Sequence, residues 1–412
     1  MAFGDNPNDA SMLAAWHVFT DQVRAAGDHV FKDESGASDG ERTNAFRYLT
    51  QNLSQAFDIW LENRRTRYPT IHAFCGPTRK LGCDNADCIY HQSWINDRDT
   101  YRISGSRGTA RMFNIAVHGP WKGTLHEPFG DTPVANLFGD DLEIDWAGNF
   151  EVWISPDPHP GNWIPSTPGI RKVFYRQYFD HWNEVPCDFR IERIGGDDEL
   201  PAALEPAELL EAFERAGQFV VDVVKDWPET LWTRQGTHGI FNTFVRYDGG
   251  ANTKAAASDG FESADARRGR IVAALNWKLE PHEALVVEFD AGRDAFWQMT
   301  ACTVFGGSLD FRHRQVNLTS GMTPVDADGT TRVVLAHDDP GLANWLDTEA
   351  HSRGWLYFRN MLVRDVPELR TEIVPLAELE DRIGIVATPI TPEARSAELR
   401  RRRAAILRRY PT

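Results

Sequence analysis

Asp84, Asn85 and Asp87, with Tyr90 and His91 following, form a short-range polar group of proton-handling side chains. Carboxylates beside a phenol and an imidazole can do acid–base work, one holding a substrate oxygen while another moves a proton. That reading makes Asp84, Asp87, Tyr90 and His91 catalytic candidates and Asn85 a ligand-binding one. The same Asp-Asn-Ala-Asp run also suits an Asx turn that opens a strand, because Asp and Asn bond their own backbone. Farther along, Arg293, Arg312 and Arg314 alternate with Asp294, Asp310 and His313. Arg312 and Arg314 are two apart and share one strand face. A guanidinium fork fits a carboxylate, sulfate or phosphate, which makes Arg293 or Arg314 a candidate anion holder. A solvated face laced with salt bridges accounts for these arginines equally well. Asn344, Trp345 and Asp347 occupy a Pro/Gly-bounded loop, and loops on rigid sheets carry function disproportionately. Alternatively, Trp345 and its earlier counterpart Trp163 plug the open ends of two sandwiches.

Other chemistries find less support. Cys75, Cys83 and Cys88 stand near His72 and His91, but the C-x7-C-x4-C spacing lacks the tight C-x2-C hairpin of structural zinc. Buried free thiols are expected there. His118, His126, His159 and His181 form no H-x-H or H-x-D pair among themselves, so no metal is assigned. No P-loop and no G-x-G-x-x-G ahead of a helix is present, and no nucleotide or other cofactor is expected. The 44 Lys and Arg against 60 Asp and Glu leave a net charge of −16, which argues against nucleic acid as the partner. No run approaches the roughly 20 apolar residues of a membrane span. The polar start at Met1–Asp9 shows no export signal, and with five Cys a cytoplasmic protein with reduced thiols is expected.

The elements that position these residues follow from hydrophobic period. Leu13, Trp16, Phe19 and Val23 recur at helical steps after Ser11 and run out near Gly27. A loop over Lys32–Gly40 precedes a second helix that carries Phe46, Leu49, Leu53, Phe57 and Trp60. From about Arg98 the pattern changes to short β runs with Gly/Pro turns: Thr100–Ile103, Ala110–Val117, Asp141–Asp145, Phe150–Ile154 and Lys172–Tyr178. Helical spacing returns between about Leu200 and Trp232, and Tyr247–Arg268 has the composition of a mobile loop or lid. Strands resume at Ala284–Phe289, Phe296–Val304, Thr331–Leu335 and Trp355–Met361. Thr391-Pro392-Glu393 caps a closing Arg-rich helix, which is expected to dock on the chain's own acidic surface or on a sister subunit.

The sequence also echoes itself. Asp145-Trp-Ala-Gly148, a strand, Asn162-Trp163 and Phe174-Tyr175-Arg176 recur in order as Asp326-Ala-Asp-Gly329, a strand, Asn344-Trp345 and Tyr357-Phe358-Arg359. Duplicated β modules are therefore expected: a mainly β fold of two jelly-roll-like antiparallel sandwiches with helices before, between and after them. The divisions fall at 1–69 (helical), 70–196 (first sandwich), 197–235 (helical connector), 236–376 (second sandwich) and 377–412 (basic helix).

Lys80-Leu-Gly-Cys-Asp-Asn-Ala-Asp87 with Tyr90, and Tyr101 through Gly108, resemble a bacterial domain-of-unknown-function family, number twelve-fourteen. The likeness continues through Gly148–Arg176 and is strongest at Asp339-Pro340-Gly341 with Asn344-Trp345-Leu346-Asp347-Thr348, then Gly354 and Arg359, so it covers most of the chain from about residue 40. The resemblance implies jelly-roll sandwiches and brings no reaction with it. Gly82-Cys83 stands where that family has Gly-Gly. Aromatic-lined spaces between or inside such sheets suit small apolar molecules with a few polar handles. The expected function is an enzyme or binding protein for a lipophilic or aromatic metabolite (steroid, terpenoid or polyketide-like), with acid–base chemistry on a hydroxyl or carbonyl if catalytic. The alternatives are carbohydrate recognition, a use for the 14 Trp, or a non-catalytic assembly subunit; a homo-oligomer fits each.

Overall fold

The computed structural model describes residues 4, 6–31, 38–121, 131–196, 200–235, 239–247, 271–292, 295–361 and 367–410. Arg293, His126 and the lid-like stretch after Tyr247 lie outside them.

Two helices open the chain. α1 (Asp9–Val30) starts two residues ahead of Ser11, whose hydroxyl donates to Asn8 O (2.9 Å) from within the first turn instead of capping it. α2 (Asp39–Phe57) begins at a capping box: Ser38 Oγ accepts from Glu41 N (3.1 Å) while the Glu41 carboxylate accepts from Ser38 N (2.9 Å). Their apolar stripes, with Phe19 and Leu49, and Ile59 and Trp60 of the π-helical turn that follows α2 (Asp58–Glu62), pack with Phe219 and Val223 of α3 (Pro206–Gln235) against Phe74, Trp94 and Phe174.

The first β module holds β1 (His72–Cys75), β2 (Cys88–Trp94), β3 (Tyr101–Ser106), β4 (Met112–Trp121), β5 (Asp131–Phe138), β6 (Asn149–Ser155), β7 (Trp163–Pro165), β8 (Lys172–Tyr178) and β9 (Asp188–Arg193). A five-stranded sheet in the order β1-β2-β8-β4-β5 faces a four-stranded one, β7-β6-β3-β9. The second module holds β10 (Val245–Tyr247), β11 (Ile271–Lys278), β12 (Glu283–Phe289), β13 (Phe296–Cys302), β14 (Asn317–Thr319), β15 (Thr331–Ala336), β16 (Trp345–Asp347), β17 (Arg353–Met361) and β18 (Arg370–Pro375). Its sheets run β10-β11-β17-β13-β14 and β16-β15-β12-β18, the same order with every strand shifted by nine. Even the single parallel pairing repeats, β6 with β7 and β15 with β16. The duplicated sandwiches expected from the echo are thus present.

Alternation along each strand fills the interiors. Ile103, Ile115, Val152, Val173 and Tyr175 close the first sandwich, and Leu275, Val287, Trp297, Leu335 and Phe358 the second. Asp141–Asp145 is not a strand: a 3-10 turn at Gly139–Asp141 leads into an Asx-stabilised turn in which Asp145 Oδ1 accepts from Ala147 N and Asn149 N (both 2.8 Å). A short helix, α4 (Leu379–Ile383), follows β18, and α5 (Pro392–Arg409) starts at Thr391 with Pro392 in its first turn. The three buried arginines of α5 are spaced by seven and so share one face. Arg395 meets Asp339 (2.9 Å) and Gln315 Oε1 (2.7 Å), Arg402 donates to Asn317 O (3.0 Å), and Arg409 donates to His181 O (2.6 Å). The helix therefore docks on its own chain and touches both modules. Among the described residues no helix is long and apolar enough to cross a membrane.

Candidate functional site

Lys80–Asp87 runs from β1 to β2 and locks the first module onto the second. Gly82 and Cys83 both adopt positive φ (63° and 56°), which turns the chain so that Cys83 N donates to Gly306 O (2.5 Å). Asp84 accepts from Ser308 N (2.9 Å) and Ser308 Oγ (2.6 Å), while Lys80 Nζ donates to that hydroxyl (2.7 Å) and sits 3.7 Å over the Phe311 ring. Burial pulls the Lys80 ammonium below its usual pKa, with Asp84 the chief opposing influence. Asn85 Oδ1 accepts from Asp87 N (3.0 Å), the expected Asx turn, and Asn85 Nδ2 donates to Gln298 Oε1 (2.5 Å) on β13. Asp87 Oδ2 accepts from Asn317 Nδ2 (2.5 Å) on β14. Burial raises the Asp87 carboxyl, and the nearby Arg409 and Arg402 pull it back down. All three side chains are buried and committed to the joint between modules.

Tyr90 stands apart from them. It lies on β2 two residues from Cys88, remains part-exposed, and accepts from Asn85 N (3.1 Å). His91 points to the opposite face of that strand, where burial lowers it to about 4. The sequence cluster is thereby divided, with Tyr90 alone part-exposed on the sheet face turned toward the second module.

Here the outward faces of the two five-stranded sheets meet. On the first sheet Tyr90, Arg176 and Asn114 lie side by side across β2, β8 and β4, and Asn114 Nδ2 donates to Asn136 Oδ1 (2.6 Å) on β5. On the second, Arg359 of β17 is flanked by Val272 and Gln298. Arg176 and Arg359 are the echoed arginines, on equivalent central strands at equivalent register. Tyr90, Arg176, Asn136, Val272 and Arg359 keep partial exposure amid buried neighbours. Next to them Cys88, Met112, Phe138 and Tyr178 of the first module pack with Phe296 and Met361 of the second. Burial lifts the Cys88 thiol to about 12 and holds the Tyr90 phenol well above its ordinary value, so both stay neutral near pH 7.

The arginines are unusual in their partners. Arg176 has no hydrogen bond or ion pair among the described residues and leans on the Phe174 ring at 5.2 Å. Arg359 gives Nη2 to Cys83 O, while its buried Nη1 has no partner. Elsewhere the chain compensates such groups: Arg332 meets Glu288 (2.9 Å), Asp326 (3.1 Å) and Asp328 (2.8 Å). The sequence signal for this pair was present, as the last residue of each echoed unit.

The remaining candidates are placed as follows. Arg314 is half-exposed and pairs with Asp347 (2.7 Å). Asn344 Nδ2 donates to Pro324 O (2.9 Å) and Arg332 O (3.0 Å), and Trp345 Nε1 to Ala336 O (3.1 Å). In the first module Asn162 Nδ2 donates to Glu143 O and Glu151 O (both 2.9 Å), and Trp163 Nε1 to Ser155 Oγ (3.0 Å). The shared pattern makes Asn-Trp a clip that fastens a loop to a sheet edge.

Residues 274–361 match the profile of a protein family of unknown function, DUF1214. The matched segment contains Asn344–Asp347 and Arg359, but not Lys80–Asp87 or Gly148–Arg176. The chain is similar to an uncharacterised protein from Burkholderia cenocepacia at 27% identity and a TM-score of 0.79, over 89% of this chain and 99% of that one. A Vibrio parahaemolyticus protein aligns at 9% identity and a TM-score of 0.42, over 85% of this chain and 100% of that one. No curated protein matches. The Burkholderia chain thus carries a similar fold over nearly its whole length, and the family profile falls on the strands of the second module that include Arg359.

Proposed function

We propose that this chain binds a lipophilic or aromatic small metabolite between the outward faces of its two five-stranded sheets. What carries the reading is the run of part-exposed side chains, Tyr90, Arg176, Val272 and Arg359, bordered by the apolar Met112, Phe138, Tyr178, Phe296 and Met361. Apolar walls with a few convergent polar groups are the usual form of a small-molecule site. Where the guest carries a carbonyl or hydroxyl, Tyr90 is the neutral hydrogen-bond donor beside it. Its phenol is neutral at physiological pH, its oxygen accepts from Asn85 N, and its hydroxyl also meets the Cys88 side chain, a bond that a guest would have to replace. Carbohydrate stacking has the exposed Trp16 and Trp146 to work with, but neither lies beside Tyr90, Arg176 or Arg359, and Trp60, Trp94, Trp227, Trp277, Trp297, Trp345 and Trp355 are buried.

Native mass spectrometry of protein taken directly from cells tests the reading. Wild type is expected to retain an apolar metabolite, and Val272→Trp, which fills the space from a part-exposed position, to lose it while melting at the same temperature. Empty wild-type protein that also shows no thermal shift with a panel of terpenoid, steroid and aromatic compounds would overturn it.

A further inference from the structure

We infer that the guest between the sheets is a carboxylic acid, bound as its anion by Arg176 of one module and Arg359 of the other. This rests on the proposed inter-sheet site and adds the chemical class of its occupant. A guanidinium withdrawn from water is costly unless something negative meets it. Arg395 has Asp339, and Arg332 has three acidic partners, but no carboxylate lies within ion-pair distance of Arg176 or Arg359 among the described residues. Arg176 lies beside Tyr90, whose hydroxyl accepts from Asn85 N (3.1 Å), and Asn85 Nδ2 donates to Gln298 Oε1 (2.5 Å) beside Arg359, so the two guanidiniums border one region. Each offers a planar set of N–H donors, and those left over after the Arg359–Cys83 bond are unused by the protein. A flat carboxylate with two oxygens can accept from both sides at once. The apolar row beginning at Met112 and Phe296 then receives the hydrocarbon part, so the ligand has one charged end and one greasy body.

Calorimetric titration of the full chain with dodecanoate, dodecanol and dodecyl phosphate, and with naphthoate and naphthylmethanol, tests the assignment. The acids are expected to bind about 10- to 100-fold more tightly than the matching alcohols, the worth of one or two charge-assisted hydrogen bonds. Arg176→Gln breaks no hydrogen bond within the protein, so it should fold and lose most of that preference while alcohol binding stays. Arg176→Lys should recover part of it, and Arg359→Gln should act like Arg176→Gln. Equal binding of acid and alcohol, or an Arg176→Gln variant that keeps the acid preference, overturns the carboxylate and leaves the apolar site standing. Tighter binding of dodecyl phosphate than of dodecanoate overturns it in favour of a phosphate ester. If none of the five compounds binds, the inter-sheet site itself is refuted.

Discussion

At the scale of single residues, the joint between modules depends on charges kept out of water. Lys80, Asp84 and Ser308 are each 5% exposed or less, and their side chains bond one another and nearby backbone. Such a pair adds little net stability over a well-packed apolar one, but removing one member strands the other. Asp84→Ala is expected to cost about 3–5 kcal/mol, because Lys80 is left without its counter-charge. Urea denaturation checks this, and a loss below about 1 kcal/mol would mean that solvent reaches the site. The residues of Asp84–His91 were easy to single out from composition, yet their roles were not. Whether a buried carboxylate serves a substrate or a neighbouring strand depends on Ser308 and Asn317, more than 200 positions away. Arg176 and Arg359 were visible only as the ends of a repeat, since an arginine's lack of a partner is a property of three-dimensional surroundings.

At the scale of elements, the Asn-Trp clips allow a comparison inside one molecule. Asn162 and Asn344 each tie a loop to a strand through two carbonyls, but Asn344 is 4% exposed whereas Asn162 is part-exposed. Water can replace a lost side-chain donor only where it has access. Asn344→Ala should therefore destabilise by about 1–3 kcal/mol and by more than Asn162→Ala, as measured by thermal melting of the two variants. Equal losses would mean that burial at the second clip is not what sets its strength. Strands with clean alternation, such as Phe150–Ile154 and Thr331–Leu335, were legible in advance. β2 was not: Cys-Ile-Tyr-His-Gln-Ser-Trp has polar residues on both faces, because one face meets a sandwich interior and the other meets helices and a second module. The α2 start was missed because Ser38 sat inside a stretch of loop-like composition, although the Ser-x-x-Glu box was there to be read.

At the scale of the whole molecule, two sandwiches of identical strand order are held by connections that reach across, among them the Lys80–Asp87 segment, Asp180, which accepts from Ser320 Oγ (2.9 Å) and Gly321 N (2.7 Å), and α5. Cooperative unfolding as one unit is the expected result, even at 412 residues. Deleting α5 removes Arg402 from Asn317 and Tyr410 from Cys88 O (3.1 Å), and should lower the urea midpoint and separate the transition into two. A single transition with unchanged midpoint would show that the helix is an ornament on an already rigid pair.

The repeated topology has one more consequence. Tyr90 occupies, beside Arg176, the place that Val272 occupies beside Arg359, and Asn114 stands where the other copy has Gln298. Once-interchangeable halves have drifted into unlike ones, a hydroxyl on one side and a branched hydrocarbon on the other. Any occupant lying across that pseudo-dyad meets a surface with a head and a tail, and can settle there in one direction only.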